Sequence, residues 1–236
     1  MNLVLLEPSD VVAEGRARLT GRRAAHILSV HGAEPGRELR VGMLGGELGK
    51  GRVEVLGDAA VELSFTLDAP PPSRPGIDLV LALPRPRVLR RVLRSVAAQG
   101  VDRVVLVNSW RVDKSYWQTP ALGPDAVRHE LTLGLEQARD TVLPEVMLEP
   151  LFKPFVEDRL PALLAGRRAL VAHPVAEARL SAGRGPTTLC VGPEGGWIEY
   201  EVEKLVEAGC EAASLGERVL VVEDALTSCL ARLGAG

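Results

Sequence analysis

The sequence predicts an α/β protein preceded by a small β-barrel. From residue 77 onward, apolar strand-like runs alternate with helix-like patterns, which is typical of a mostly parallel sheet covered by helices. Residues 1–67 differ, because there short β segments surround a single helix. Between the two patterns, residues 69–76 contain four prolines, a composition typical of a stiff linker. We therefore expect two domains, at residues 1–70 and 76–236.

The elements of the first domain follow from alternation and from turn residues. In three of its segments, apolar residues occupy alternating or nearly alternating positions, which is the pattern of a strand with one buried face. Glycine-containing turns separate the segments. The predicted strands are residues 2–6, 37–41, 52–56 and 61–67. A helix capped by Thr20 is predicted over residues 21–30.

The second domain is predicted from buried strands and amphipathic helices. Its nearly continuous apolar runs match strands that are covered on both faces. These strands are predicted at residues 77–83, 104–107, 169–172 and 188–191. Helical spacing predicts helices at residues 87–99, 125–138, 199–208 and 222–233. The last helix has a well-formed apolar face, so we expect it to be buried within the domain or against a second subunit.

Composition excludes several classes of protein. Hydrophobic residues make up 46% of the chain and charged residues 25%, which is ordinary for a globular protein with a core. Aromatic residues, at 3%, are too few for an extended base-stacking surface. The chain has no apolar run of about 18 residues and begins with a poor secretion signal, so we expect no membrane partner.

Cysteine and histidine usage indicates the compartment and argues against metal binding. The three cysteines are widely spaced and odd in number, which suggests neither a disulfide framework nor a zinc site. The four histidines form no HExxH or similar pair. We therefore expect a cytoplasmic protein with no bound metal.

A basic segment opens the second domain. Residues 76–128 contain nine Lys or Arg and four Asp or Glu, although the whole chain has a net charge of −3. At about 100° per residue, four arginines fall on one face of the predicted helix, opposite its apolar side. Guanidinium groups match phosphate geometry, so this face indicates RNA contact. The alternative is a solvated face paired with carboxylates elsewhere. Residues 111–118 contain further side chains that could contact RNA. The alternative is that their aromatic side chains are only half-buried in a loop. The candidate RNA-binding residues are Arg85, Arg87, Arg90, Arg91, Arg94, Arg111 and Lys114.

Two strand-to-loop features are candidates for a ligand site. One strand runs into Gly-Pro-Glu-Gly-Gly at residues 192–196, where glycines allow a ligand to approach the backbone closely. This loop is neither a Walker loop nor GxGxxG, and a plain strand-to-helix turn is the alternative. The second feature, residues 212–220, leads into the last helix. His173 ends another strand, where a lone histidine is more often structural than catalytic.

Together these features resemble a known family. A strand ends in His173-Pro174, Val-Gly-Pro-Glu-Gly-Gly follows at residues 191–196, and Leu-Gly-x-Arg-Val-Leu stands at residues 215–220. In this order, near the C-terminus and after a small barrel, the motifs resemble those of the RsmE-type RNA methyltransferases of the SPOUT superfamily. The resemblance covers nearly the whole chain, and the ordered pair of motifs is its most specific part.

The resemblance implies a PUA-like N-terminal barrel and an α/β domain with a trefoil knot. It also implies a homodimer that binds S-adenosylmethionine in the knot and methylates N3 of a uridine in small-subunit ribosomal RNA. By motif matching, Arg218 is the candidate catalytic residue. Its guanidinium would stabilise negative charge on the uracil. The implied cofactor-binding residues are His173, Pro174, Val191, Gly192, Pro193, Glu194, Gly195, Gly196, Leu215, Gly216, Val219 and Leu220.

The chain departs from the family pattern where arginines are expected. The family has arginine at or near the positions of Gly32, Asp140 and Val221. These positions would hold RNA or the target base, whereas the cofactor motifs are retained. Three alternatives therefore remain: a methyltransferase with another RNA target, a non-catalytic RNA-binding or ribosome-assembly protein, and an α/β enzyme that uses an unrelated nucleotide cofactor.

Overall fold

The computed structural model describes residues 2–30 and 34–234, so that Gly32 lies outside the described residues. The chain forms two compact units. The first consists of residues 1–73 with residues 132–143, and the second of residues 74–131 with residues 144–236. The second unit is an α/β domain with a parallel sheet, as the sequence predicts.

The first unit contains a six-stranded sheet in the order β1-β4-β5-β6-β3-β2. Strand β1 pairs in parallel with β4, and the other pairs are antiparallel. The predicted strands and helix are present with small changes of bounds. The strands β2 and β3 were not predicted. The elements are β1 (Val4–Leu6), β2 (Val11–Ala13), β3 (Arg16–Thr20), α1 (Gly21–Val30), β4 (Glu38–Met43), β5 (Leu48–Leu56) and β6 (Ala60–Ala69).

Residues 132–143 are attached to the first unit by polar contacts. The carboxylate of Glu136 accepts two hydrogen bonds of 2.8 Å from the guanidinium of Arg22. The carboxylate of Asp140 is buried and accepts the backbone N–H of Thr141 at 2.6 Å and of Val142 at 3.1 Å. Asp140 therefore holds a turn inside this unit.

The second unit contains a parallel sheet in the order β12-β10-β11-β7-β8-β9. Strands β7 and β11 are buried along their whole length, in agreement with their apolar runs. Its strands are β7 (Ile77–Ala82), β8 (Arg103–Val107), β9 (Glu145–Glu149), β10 (Arg168–Ala172), β11 (Thr187–Val191) and β12 (Glu211–Ala213). Strand β9 was not predicted, because this edge strand has a glutamate at each end and no continuous apolar run.

The helices agree closely with the sequence predictions except in one segment. The four predicted helices are α2 (Pro86–Ala98), α3 (Pro124–Ala138), α6 (Glu199–Glu207) and α7 (Val222–Leu233). An additional helical segment follows β9 and consists of α4 (Phe152–Pro154), a π-helical turn (Phe155–Arg159) and α5 (Leu160–Leu164). In the described part of the chain, no helix has both the length and the apolarity to cross a membrane.

Candidate functional site

A cavity lies at the carboxyl ends of strands β10 and β11, beside the loop that follows β12. Its empty space, including the part that is open to solvent, is about 690 Å³. The cavity is lined by the residues that the resemblance assigns to the cofactor, other than Gly195, and by Arg218. The three motifs, which are far apart in the sequence, therefore meet at one site.

The sheet explains why these motifs meet. Strands β11 and β12 both pair in parallel with β10, so the loops that follow the three strands leave the same edge of the sheet. The N–H of His173 donates to the carbonyl of Ala213 at 3.0 Å, which joins the end of β10 to the end of β12. Ser214, the residue that follows β12, donates its N–H to the carbonyl of Ala178 at 2.8 Å.

The loop at residues 192–196 is shaped by two of its glycines. Gly196 has φ +73°, a conformation that favours glycine, and donates its N–H to the carbonyl of Pro193 at 2.7 Å. A Cβ on Gly192 would lie 3.0 Å from the backbone nitrogen of Trp197, so a larger residue does not fit there. Gly195 instead faces Arg111, which donates to its carbonyl, and does not line the cavity.

Neighbouring residues hold this loop in place. The carboxylate of Glu194 accepts the backbone N–H of Arg85, which precedes α2, at 3.0 Å. The buried carboxylate of Glu201 accepts the backbone N–H groups of Ile198 at 3.0 Å and Trp110 at 2.8 Å, and the hydroxyl of Ser109 at 3.1 Å. One buried carboxylate thus joins the loop after β8 to the start of α6.

Five lining residues were not among the predicted site residues: Ala172, Trp197, Val222, Ala225 and Cys229. The last three lie on the face of α7 that the sequence predicts to be buried. Apolar spacing could identify that face, but it could not distinguish a cavity wall from the core. Burial raises the pKa of the Cys229 thiol to about 11, so this group is neutral at physiological pH.

The site offers no cluster for a metal ion. Within residues 2–30 and 34–234, no three His, Cys, Asp or Glu side chains lie close enough together to hold one. The walls are largely apolar, and the polar side chains that line the cavity include those of Glu194, Arg218 and His173. Arg218 is exposed and has no ion pair with any described residue, so its charge is available to a ligand.

The predicted basic face of α2 is present, but distant carboxylates pair with part of it. Arg91 lies 2.5 Å from Glu223 at the start of α7, and Arg94 forms an ion pair with Glu130 of α3. Among the described residues, Arg87 and Arg90 have no ion-pair partner. The alternative of pairing with distant carboxylates thus holds for two arginines, and Arg87 and Arg90 remain available to a phosphate.

The pairing of Arg94 predicts a stability effect. Glu130 is 4% exposed, so Arg94→Ala leaves a buried carboxylate without its cation. We expect a loss of about 1–3 kcal/mol in the free energy of unfolding, measured by urea denaturation. Arg90→Ala, on the same helix face, is the matched control and is expected to stay within about 0.5 kcal/mol of the parent. Equal stability of the two variants would contradict a structural role for Arg94.

Known families and structures match the chain over most of its length. Residues 71–234 match a family model described as an RNA methyltransferase domain. The ribosomal RNA small subunit methyltransferase E of Treponema pallidum is 28% identical over 98% of this chain and 90% of its own length. The protein of that name from Mycobacterium tuberculosis is 28% identical over 92% of this chain and 86% of its own.

Solved structures share the fold. That of the ribosomal RNA small subunit methyltransferase E from Neisseria gonorrhoeae, bound to S-adenosylmethionine, has a TM-score of 0.75 at 21% identity and covers 98% of this chain and 95% of its own. A Legionella pneumophila protein described as a methyltransferase, in complex with the same cofactor, has a TM-score of 0.77 at 20% identity, covering 98% and 96% of the two chains.

Proposed function

Since its residues 71–234 match the family model, the chain belongs to the RNA methyltransferase domain family, and we propose that it transfers a methyl group from S-adenosylmethionine to small-subunit ribosomal RNA. The observation that carries this proposal is the cavity formed jointly by the loops after β10, β11 and β12. The two curated relatives are named for the same substrate and reaction, over nearly the whole chain.

The residues of the cavity fit the cofactor. The apolar walls suit adenine, and Gly192 and Gly196, which carry no side chains, let a ligand approach the backbone of the loop closely. The indole Nε1–H of Trp197 is buried and has no acceptor among the described residues, so it can donate to a polar atom of a ligand. Glu194 and the backbone of Gly192, Pro193 and Gly196 add further polar groups.

When bound, S-adenosylmethionine supplies an activated methyl group on a sulfonium ion. The loops of this chain then have to orient that group and exclude water, because proximity and alignment contribute strongly to such a transfer. We propose that the acceptor is N3 of a uridine. Arg218, exposed at the cavity, would stabilise the negative charge that develops on the uracil ring as N3 loses its proton.

We extend the proposal to the finer architecture. We propose that the second domain, residues 76–236, has a SPOUT-type trefoil knot. This is supported by residues 213–214, which bond to His173 on one side and to Ala178 and Leu180 on the other. Residues 213–214 thus lie between two parts of the connection that follows β10. We also propose that residues 1–70 form a PUA-like barrel that binds RNA.

A homodimer is part of the proposal. Val219 and Val221, beside the cavity, are 82% and 61% exposed, and such adjoining apolar side chains are typical of an interface. Val221 stands where the family has arginine, so a dimer contact would account for the apolar residue. We propose a cytoplasmic location, where ribosomal RNA is found and the three free cysteines are stable.

Ligand binding gives a direct test. We expect S-adenosylhomocysteine at about 100 times its dissociation constant to raise the midpoint of thermal unfolding by on the order of 5 °C. NAD and ATP at equal concentration are the controls and are expected to leave the midpoint unchanged. Stabilisation by NAD or ATP instead would favour the α/β enzyme with an unrelated cofactor.

Nucleoside mass spectrometry of small-subunit ribosomal RNA from cells lacking the gene tests the reaction itself. Loss of 3-methyluridine, restored by the parent gene, is the expected result. If 3-methyluridine is retained and another methylated nucleoside disappears, the enzyme has a different target. If no methylated nucleoside changes, the protein is a non-catalytic RNA-binding protein on this fold.

A further inference from the structure

A second cleft lies next to the cofactor cavity. It is formed between the first turns of α2 and a short 3-10 helix, Lys114–Gln118, and is lined by Arg85, Pro86, Arg87, Val88, Arg91 and Tyr116. The lining combines the apolar Pro86 and Val88 with the ring of Tyr116 and three arginines. Such a combination of an aromatic ring, apolar side chains and several cations matches a nucleotide, which presents a flat base and an anionic phosphate.

The ring of Tyr116 is presented by a rigid segment. The 3-10 helix is capped by Asp113, whose carboxylate accepts the N–H of Ser115 at 2.8 Å. The indole N–H of Trp117 donates to the side-chain oxygen of Asn108 at 3.0 Å, which fixes the next residue. Tyr116 itself is half-buried. Because the backbone on both sides of Tyr116 is held by these bonds, less conformational entropy is lost when a base stacks on the ring.

The charges in the cleft are only partly compensated. Arg91 is paired with Glu223, and the Nε of Arg85 lies 3.9 Å from Glu194. Arg87 has no ion-pair partner in the described residues. The cleft therefore keeps a positive charge that an RNA phosphate can neutralise.

Two carboxylates connect this cleft to the cofactor cavity. Glu194 lines the cavity and accepts the backbone N–H of Arg85, which lines the cleft. Glu223 follows Val222, a residue of the cavity wall, and pairs with Arg91 of the cleft. Each carboxylate thus lies between the two sites, and a nucleotide in the cleft would adjoin the base that accepts the methyl group.

We propose that this cleft binds one unpaired nucleotide of the RNA strand next to the target uridine, with the base on Tyr116 and its phosphate on Arg87. This inference rests on the proposed function, because it takes RNA as the substrate. It assigns Tyr116 a role in substrate binding that the motifs do not indicate.

The test compares full-length variants in three measurements. Affinity for a fluorescent single-stranded RNA is measured by anisotropy at several salt concentrations. Contact is mapped by photocrosslinking to 5-iodouridine-substituted RNA and mass spectrometry. Affinity for S-adenosylhomocysteine is measured by calorimetry, as the check that each variant is folded with an intact cofactor cavity.

We expect Tyr116→Ala to weaken RNA binding about tenfold, whereas Tyr116→Phe, which retains the ring, stays near the parent. Arg87→Gln should weaken binding and lower the salt slope by about one. Arg90→Gln lies outside the cleft, so it should leave the crosslink at Tyr116 in place whatever its effect on the overall affinity for RNA. All variants should bind S-adenosylhomocysteine as the parent does.

Two results would overturn the inference. One is RNA affinity that is unchanged by Tyr116→Ala, and the other is the absence of any crosslink to residues of the cleft. If the parent protein methylates RNA while Tyr116→Ala has the same KM for RNA, the cleft assignment fails and the proposed function stands. If the parent binds no S-adenosylhomocysteine, the proposed function fails, and anisotropy and crosslinking still decide whether RNA enters the cleft.

Discussion

Replacing Gly192 with valine is expected to lower the affinity for S-adenosylhomocysteine by at least about 100-fold, which corresponds to about 2.7 kcal/mol. A Cβ at this position would lie 3.0 Å from the backbone nitrogen of Trp197 and 3.3 Å from the carbonyl carbon of Gly196. These atoms belong to the backbone of the same loop, so the loop cannot yield without changing shape. Isothermal titration calorimetry measures the effect.

Gly195→Ala is the matched control in the same loop. A Cβ there would meet the Cδ of Arg111 at 2.9 Å, which is part of a flexible side chain on the far side from the cavity. We expect this variant to lose less than about fivefold in affinity, a difference of less than 1 kcal/mol. Far-UV circular dichroism of both variants separates loss of the site from loss of the fold. If Gly195→Ala were the more damaging change, the assignment of the loop face would be wrong.

The central strands could be predicted because burial leaves a simple signature in the sequence. Strands β7 and β11 are covered on both faces, so nearly every residue is apolar. Strand β3 also alternates, with Ala17 and Leu19 buried between exposed residues, and the alternation rule could have found it. Strand β2, by contrast, is exposed at all three positions, so no hydrophobic pattern marks it.

The segment after β9 could not be predicted from periodicity. Pro154 and Pro161 interrupt it, and proline removes a helical hydrogen bond, so the pattern breaks into short pieces. The π-helical turn between α4 and α5 also changes the spacing at which residues share a face. Phe155 and Leu160 are nevertheless fully buried, because the packing of the second unit compensates for the irregular backbone.

The candidate site was predictable from motifs but not from local chemistry. Residues 192–196 and 215–220 were identified by resemblance, and the structure brings all of them except Gly195 and Glu217 to the lining of one cavity. The pairing of Arg91 with Glu223 joins residues more than a hundred positions apart, in a stretch that contains no nearby acid. Only tertiary structure reveals such pairs. The sequence likewise does not show that the buried indole N–H of Trp197 lacks an acceptor among the described residues and lies beside the cavity.

Replacing Arg218 with glutamine is expected to lower kcat for RNA methylation by about 100-fold, while the affinity for S-adenosylhomocysteine changes by less than about threefold. The guanidinium lines the cavity, and no described residue pairs with it, so its charge can act on the acceptor base. Arg218→Lys, which keeps the charge but loses the planar fork, should retain an intermediate rate. Single-turnover methylation at saturating cofactor measures the chemical step.

The pH dependence of the same variants distinguishes charge stabilisation from a structural role. If Arg218 stabilises the uracil anion, its contribution is largest at low pH, where the base is neutral and has to lose its N3 proton. As the pH rises and more uracil is ionised without help, the rate of Arg218→Gln should approach that of the parent. A deficit that stays constant across the pH range, or that follows a parallel loss of S-adenosylhomocysteine binding, would show that Arg218 holds the loop and does not act on the base.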